Sequence, residues 1–125
     1  MTGRRRGFTL IELLVVMAII ATLLTIAVPR YFRSLQRSRE AVLKQDLTTL
    51  RESIDRFYGD TGQYPQTLAL LVEKHYLRSI PVDPVARVAD KWIVVSSDDP
   101  EDHGVKDVKS GAEGTGENGV PYVAW

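Results

Sequence analysis

Apolar residues run from Phe8 to Val28, interrupted only by Thr9, Glu12, Thr22 and Thr25, and Pro29-Arg30 closes the run. At about 1.5 Å rise per residue a helix of that length covers roughly 31 Å, the thickness of a hydrocarbon core, so one membrane span is predicted over 8–28. Glu12 is out of place in it. A carboxylate at the centre of a bilayer helix costs about 2.5–3.5 kcal/mol on insertion scales, and such residues usually pair with something and mark function.

After Pro29 the pattern changes period. Arg30 to Gln36 is polar and basic, and then Leu43, Leu47, Leu50, Ile54 and Phe57 recur at spacings of 4, 3, 4 and 3. That places them on one helical face, so the helix is expected to continue over 29–58. A coiled-coil seam would need three or four sustained heptads, and the pattern covers about two; a helix packed on its own sheet fits better. Gly59-Asp60-Thr61-Gly62 supplies a helix end. A short helix is expected from Gln66 to Tyr76, with Leu68, Leu71 and Val72 on one side, followed by a proline-punctuated connection, Leu77 to Pro84. Lys91–Ser96 and Val105–Lys109 read as the strands of a hairpin around an acidic turn, Asp98 to Gly104. Ser110 to Trp125 reads as a glycine-rich loop tied down by Tyr122 and Trp125. The fold class is therefore α+β: a long N-terminal helix, its first half membrane-spanning, packed on a small antiparallel sheet within a globular region at 59–125.

Size and composition narrow the function. A chain of 125 residues that spends its first part on a span has room for one small domain, which excludes a large enzyme. Lys and Arg number 16 and Asp and Glu number 16, a balance that does not suggest nucleic acid. There is no cysteine, hence no disulfide framework or thiolate metal site. His75 and His103 stand at a helix end and in a hydrophilic turn, without a nucleophile elbow or a zinc-protease helix. Asp60 and Asp83 lie beside glycine or proline, where aspartate favours turns. No enzymatic activity is expected.

The N-terminal residues carry a specific resemblance. Gly7-Phe8-Thr9-Leu10-Ile11-Glu12-Leu13, with Pro29 ending the apolar run, resembles the signature of class III prepilins, the precursors of type IV pilins and type II secretion pseudopilins. The resemblance implies that residues 1–7 are a leader removed by a prepilin peptidase after Gly7, that the new amino terminus on Phe8 is N-methylated, that Glu12 pairs with the Phe8 amine of a neighbouring subunit during assembly, and that Pro29 is a helix break. Loss of Arg4, Arg5 and Arg6 would leave 13 basic and 16 acidic side chains, a balance of −3. Gly62-x-Tyr64-Pro65 and Leu77, Pro81, Asp83 and Pro84 are similar to elements of the major pseudopilins of type II secretion, which usually lack the C-terminal disulfide that closes many type IV pilins.

Membership of that family implies a single-pass protein of the bacterial inner membrane with its C-terminal domain in the periplasm. The arginine count alone, three before the span against Arg30, Arg33, Arg37 and Arg39 after it, would reverse this orientation. Implied partners are copies of itself in a filament, minor pseudopilins, the prepilin peptidase and an inner-membrane assembly platform. Two other readings stay open, a type IV pilin or minor pilin for adhesion, motility or DNA uptake, and a plain bitopic protein with a periplasmic binding domain.

The C-terminal loop raises one question of metal chemistry. Ser110-Gly111-Ala112-Glu113-Gly114 resembles the region through which major pseudopilins bind calcium, and Glu117 and Asn118 fall near where the family supplies further oxygen ligands. Glu113 stands in place of a shorter aspartate, so a calcium loop and a solvated acidic loop are both open.

Overall fold

One helix dominates the chain. In the computed structural model, which describes residues 3, 6–88 and 91–125, α1 runs from Leu10 to Thr61. Arg4 and Arg5, part of the expected leader, lie outside the described residues. The chain divides into two units, Met1–Gln36 and Arg37–Trp125.

In the first unit the apolar residues of α1 are exposed on every side, from Leu10 at 74% to Leu23 at 60%. The helix contains a stretch long and apolar enough to cross a membrane, none of it buried. Pro29 does not break it, which corrects the expectation above: the helical assignment passes through Pro29. Proline lacks an N–H, so the bond to the Thr25 carbonyl is missing, at a cost of about 3 kcal/mol. The ladder is unbroken on both sides, as an apolar surrounding requires of a backbone with no water to turn to.

In the second unit α1 buries the predicted face. Leu43, Leu50 and Ile54 are fully buried, and Leu47 and Phe57 nearly so. Each such side chain is worth about 1.5–3 kcal/mol of apolar burial. The helix ends three residues later than expected, where Gly62, at φ +75°, donates its N–H to the Tyr58 carbonyl at 2.8 Å. Glycine takes that conformation most readily, having no Cβ.

The second helix, α2, is Leu68–Glu73, shorter at both ends than predicted. Thr67 caps it by accepting the Leu70 N–H, and His75, in a left-handed conformation at φ 65°, closes it with bonds to Val72 and from Tyr76 to Leu71. The hairpin pairs β1, Trp92–Ser96, with β2, Val105–Ser110, antiparallel. A bulge between Val95 and Ser96 leaves Lys106 unpaired. It shifts the inward phase of β2, so that Val105, Val108 and Ser110 are all buried. Trp92 fills the sheet side of the core, its Nε1 donating to the Pro81 carbonyl at 2.8 Å.

Asp83 is more than a turn residue. It is fully buried, its Oδ1 accepting the Val85 and Ala86 N–H groups at 2.9 and 3.0 Å and its Oδ2 accepting the Ser110 hydroxyl at 2.5 Å. The proline-rich connection is thereby tied to the end of β2. Asp102 likewise is not a bare surface charge, because it accepts the N–H groups of Tyr64 and Gly104.

Candidate functional site

Gly7 and Phe8 precede the helix as irregular chain, both exposed. A Cβ built on Gly7 would meet nothing within 4 Å. Neither space nor backbone angle requires glycine here. Arg6, Gly7, Phe8 and Glu12 line a shared open pocket of about 330 Å³, which brings the expected cleavage point and the expected assembly carboxylate together.

Glu12 has a partner within its own chain. Its Oε2 accepts the Thr9 N–H at 3.0 Å, and the Thr9 hydroxyl accepts the Glu12 N–H at 3.1 Å. This reciprocal pair is a capping box, which satisfies two of the backbone donors left over at a helix start and sets a carboxylate at the positive end of the helix dipole. A cut after Gly7 leaves both bonds in place.

The C-terminal loop is built against one side of α1. Arg37, Glu40, Lys44 and Arg51 follow one another at helical spacings of 3, 4 and 7, and each reaches it or the strand before it. The Arg37 Nε donates to the Glu117 Oε2 at 2.9 Å. Glu40, buried although charged, accepts the Tyr122 hydroxyl at 2.7 Å and the Glu117 N–H at 3.1 Å. The Lys44 ammonium lies 5.0 Å from the centroid of the Trp125 ring. Arg51 donates from Nε to Asp107 at 2.8 Å and from Nη2 to the carbonyls of Val108 and Trp125.

Within the loop, Gly116 and Val120 close a tight turn, and Trp125 covers it with Nε1 on the Val120 carbonyl at 3.2 Å. A Cβ on Gly116 would stand 2.4 Å from the Trp125 ring, so glycine is required for that approach. Tyr122 is buried and packs edge-on against Trp125, as the sequence suggests.

The three residues named for calcium differ in their surroundings. Glu113 is exposed, the Glu117 carboxylate is engaged by Arg37, and the Asn118 Oδ1 accepts the Val120 N–H at 3.1 Å. Among the described residues no three His, Cys, Asp or Glu side chains are grouped to hold a metal ion. Nothing local in the sequence marks Arg37 or Arg51, whose partners lie 56 to 80 residues away, whereas Glu40 stands one step before Leu43 on the buried stripe.

Asp46 has its carboxyl raised above the usual aspartate range, first by burial and second by the charge of Asp83. The Tyr76 hydroxyl, donating to Asp60 at 2.6 Å, is raised mainly by that bond.

Comparison with known proteins adds identity to this geometry. Residues 2–28 match the prokaryotic N-terminal methylation motif. The type II secretion system core protein G of Klebsiella pneumoniae is 31% identical, over 94% of this chain and 89% of its own length. The protein of the same name from Escherichia coli (strain K12) is 29% identical over 87% of this chain and 82% of its own. The type IV major pilin protein PilA of Myxococcus xanthus is 39% identical, but over 49% of this chain and 28% of its own. No solved structure matches.

Proposed function

The chain belongs to the type II secretion system core protein G family, the major pseudopilins, and on that premise we propose that it is the structural subunit of a type II secretion pseudopilus. The family is non-catalytic, and its members sit in the inner membrane by a single N-terminal helix with the C-terminal domain in the periplasm. In the proposed cycle a prepilin peptidase cuts after Gly7 and methylates Phe8. The inner-membrane assembly platform then draws the subunit, with minor pseudopilins, into a periplasmic filament that helps export folded proteins.

The single observation that carries the proposal is the 31% identity spread over 94% of this chain and 89% of the Klebsiella relative. The site geometry supports it. Gly7 is a glycine the fold does not need, which suits selection by a peptidase. Glu12 keeps Oε2 in the capping box, and the carboxylate stays accessible in the pocket it shares with Phe8; a neighbour's Phe8 amine would be a charge-matched partner there. The apolar half of α1, with no face covered, is the part a filament interior would bury.

Secretion complementation tests the proposal. Deleting the gene in its host should leave type II substrates in the periplasm, and the wild-type chain should restore their export. Glu12→Ala should insert and be cleaved, since removing a charge eases insertion, yet restore little export. Undiminished secretion in the deletion strain would reject the proposal, and loss of surface pili with intact secretion would move the chain to the pilin reading.

A further inference from the structure

We infer that the C-terminal loop, residues 111–125, is locked onto α1 by the chain's own charges, Arg37 and Glu40, and folds without a divalent cation. The inference concerns the globular unit alone and holds whether or not the chain forms filaments.

The donor chemistry leads to it. Calcium takes six to eight oxygens, with carboxylates supplying the charge. Of the two loop carboxylates, Glu113 points to no shared cluster, and Glu117 is 2.9 Å from a guanidinium that would repel a dication. The one side-chain amide oxygen, Asn118 Oδ1, already holds the Val120 N–H across the turn. The loop's side chains therefore leave an oxygen-liganded dication without the carboxylates that would balance its charge.

What such an ion would do for the loop is done by other groups. Its negative charge at Glu117 is met by Arg37. Its backbone is fixed by the buried Glu40, which takes the Glu117 N–H and the Tyr122 hydroxyl on the same oxygen. Arg37 and Glu40 are three residues apart on α1, adjacent on one face, so a single helical turn presents both the cation and the acceptor. The Trp125 end is held separately, by Lys44 over the ring and Arg51 on the carbonyl. The loop is thus gripped at two points along α1, each by side chains the helix orients.

The test uses the full chain in detergent micelles, with thermal unfolding and amide hydrogen exchange measured in millimolar calcium chloride and in chelator at matched ionic strength. The expected result is the same unfolding temperature within about 1 °C and the same exchange at residues 114–122. Glu40→Gln keeps the shape but weakens two bonds to a buried acceptor, and should speed exchange in 114–122 about tenfold or more. Arg37→Gln, at an exposed pair, should speed it about two- to fivefold, and the effect should shrink in high salt. Both variants should stay indifferent to calcium. A saturable upward shift of several degrees with calcium in the wild-type chain overturns the inference, as does exchange in 114–122 unchanged by either substitution.

Discussion

The two halves of α1 share a backbone and differ in what surrounds them. Over 10–36 apolar side chains face every direction and none is buried, with Leu23 at 60% and Ile26 at 54% exposure. Beyond Arg37 they are gathered on one stripe and Leu43, Leu50 and Ile54 are fully buried. A helix apolar all round needs an apolar surrounding supplied from outside, whereas an amphipathic one needs a domain of its own. The second half carries its covering in the same chain, as α2, the hairpin and the C-terminal loop. The first half must find its covering in the membrane and then, on the proposed function, in other copies.

The largest expected effect separates the halves directly. Leu50→Ala should cost about 2–5 kcal/mol of domain stability, a fall in Tm of roughly 10 °C or more. Leu23→Ala should leave that transition within about 0.5 kcal/mol of wild type. Similar losses from both, in thermal unfolding of the chain in micelles, would break the comparison.

Next comes the carboxylate that ties the connection to the sheet. Asp83→Ala leaves the N–H groups of Val85 and Ala86 and the Ser110 hydroxyl without their shared buried acceptor, and should cost about 1–3 kcal/mol, read from denaturant midpoints. Glu12→Ala, the counterpart in the first half, removes one arm of a capping box worth about 1 kcal/mol. It should speed exchange at the Thr9 amide while leaving the domain's unfolding midpoint unchanged; a shifted midpoint would show the halves to be energetically coupled.

The smallest effect depends on pH. Burial, and then the charge of Asp83, raise the Asp46 carboxyl in the folded state above its ordinary value of 3.8. The folded chain then holds that proton more tightly than the unfolded one, so ionising Asp46 costs stability as pH rises through the folded value. Asp46→Asn should raise Tm at neutral pH by about 1–3 °C, and the gain should fade as pH falls through the raised folded value and be gone below about 4. A gain that grows toward acid would have the wrong sign.

Much of this comparison is legible in the residues. The 4-3-4-3 spacing from Leu43 to Phe57 places the buried face, and β-branched runs around an acidic turn place the hairpin within a residue or so. Harder to read are the buried carboxylates. Hydropathy assigns Glu40 and Asp83 to the surface, because the groups that offset their burial lie 82 and 27 residues away, at Tyr122 and Ser110. For Glu40 a signal exists, since it stands three residues before Leu43 and so continues the stripe. Thr9-x-x-Glu12 also has the spacing of a capping box, which turns an unpaired charge into a paired one. At Pro29 the rule that proline breaks helices gives way, because an apolar surrounding has no other donors or acceptors to offer the backbone.

The central claim, that the first half is a processed segment destined for a filament, is tested most directly by intact mass and terminal sequencing of the chain purified from its host's membranes. The account predicts a chain beginning at Phe8, one methyl group heavier than the residues alone. A chain that still begins at Met1, or one that begins beyond Val28, would contradict it.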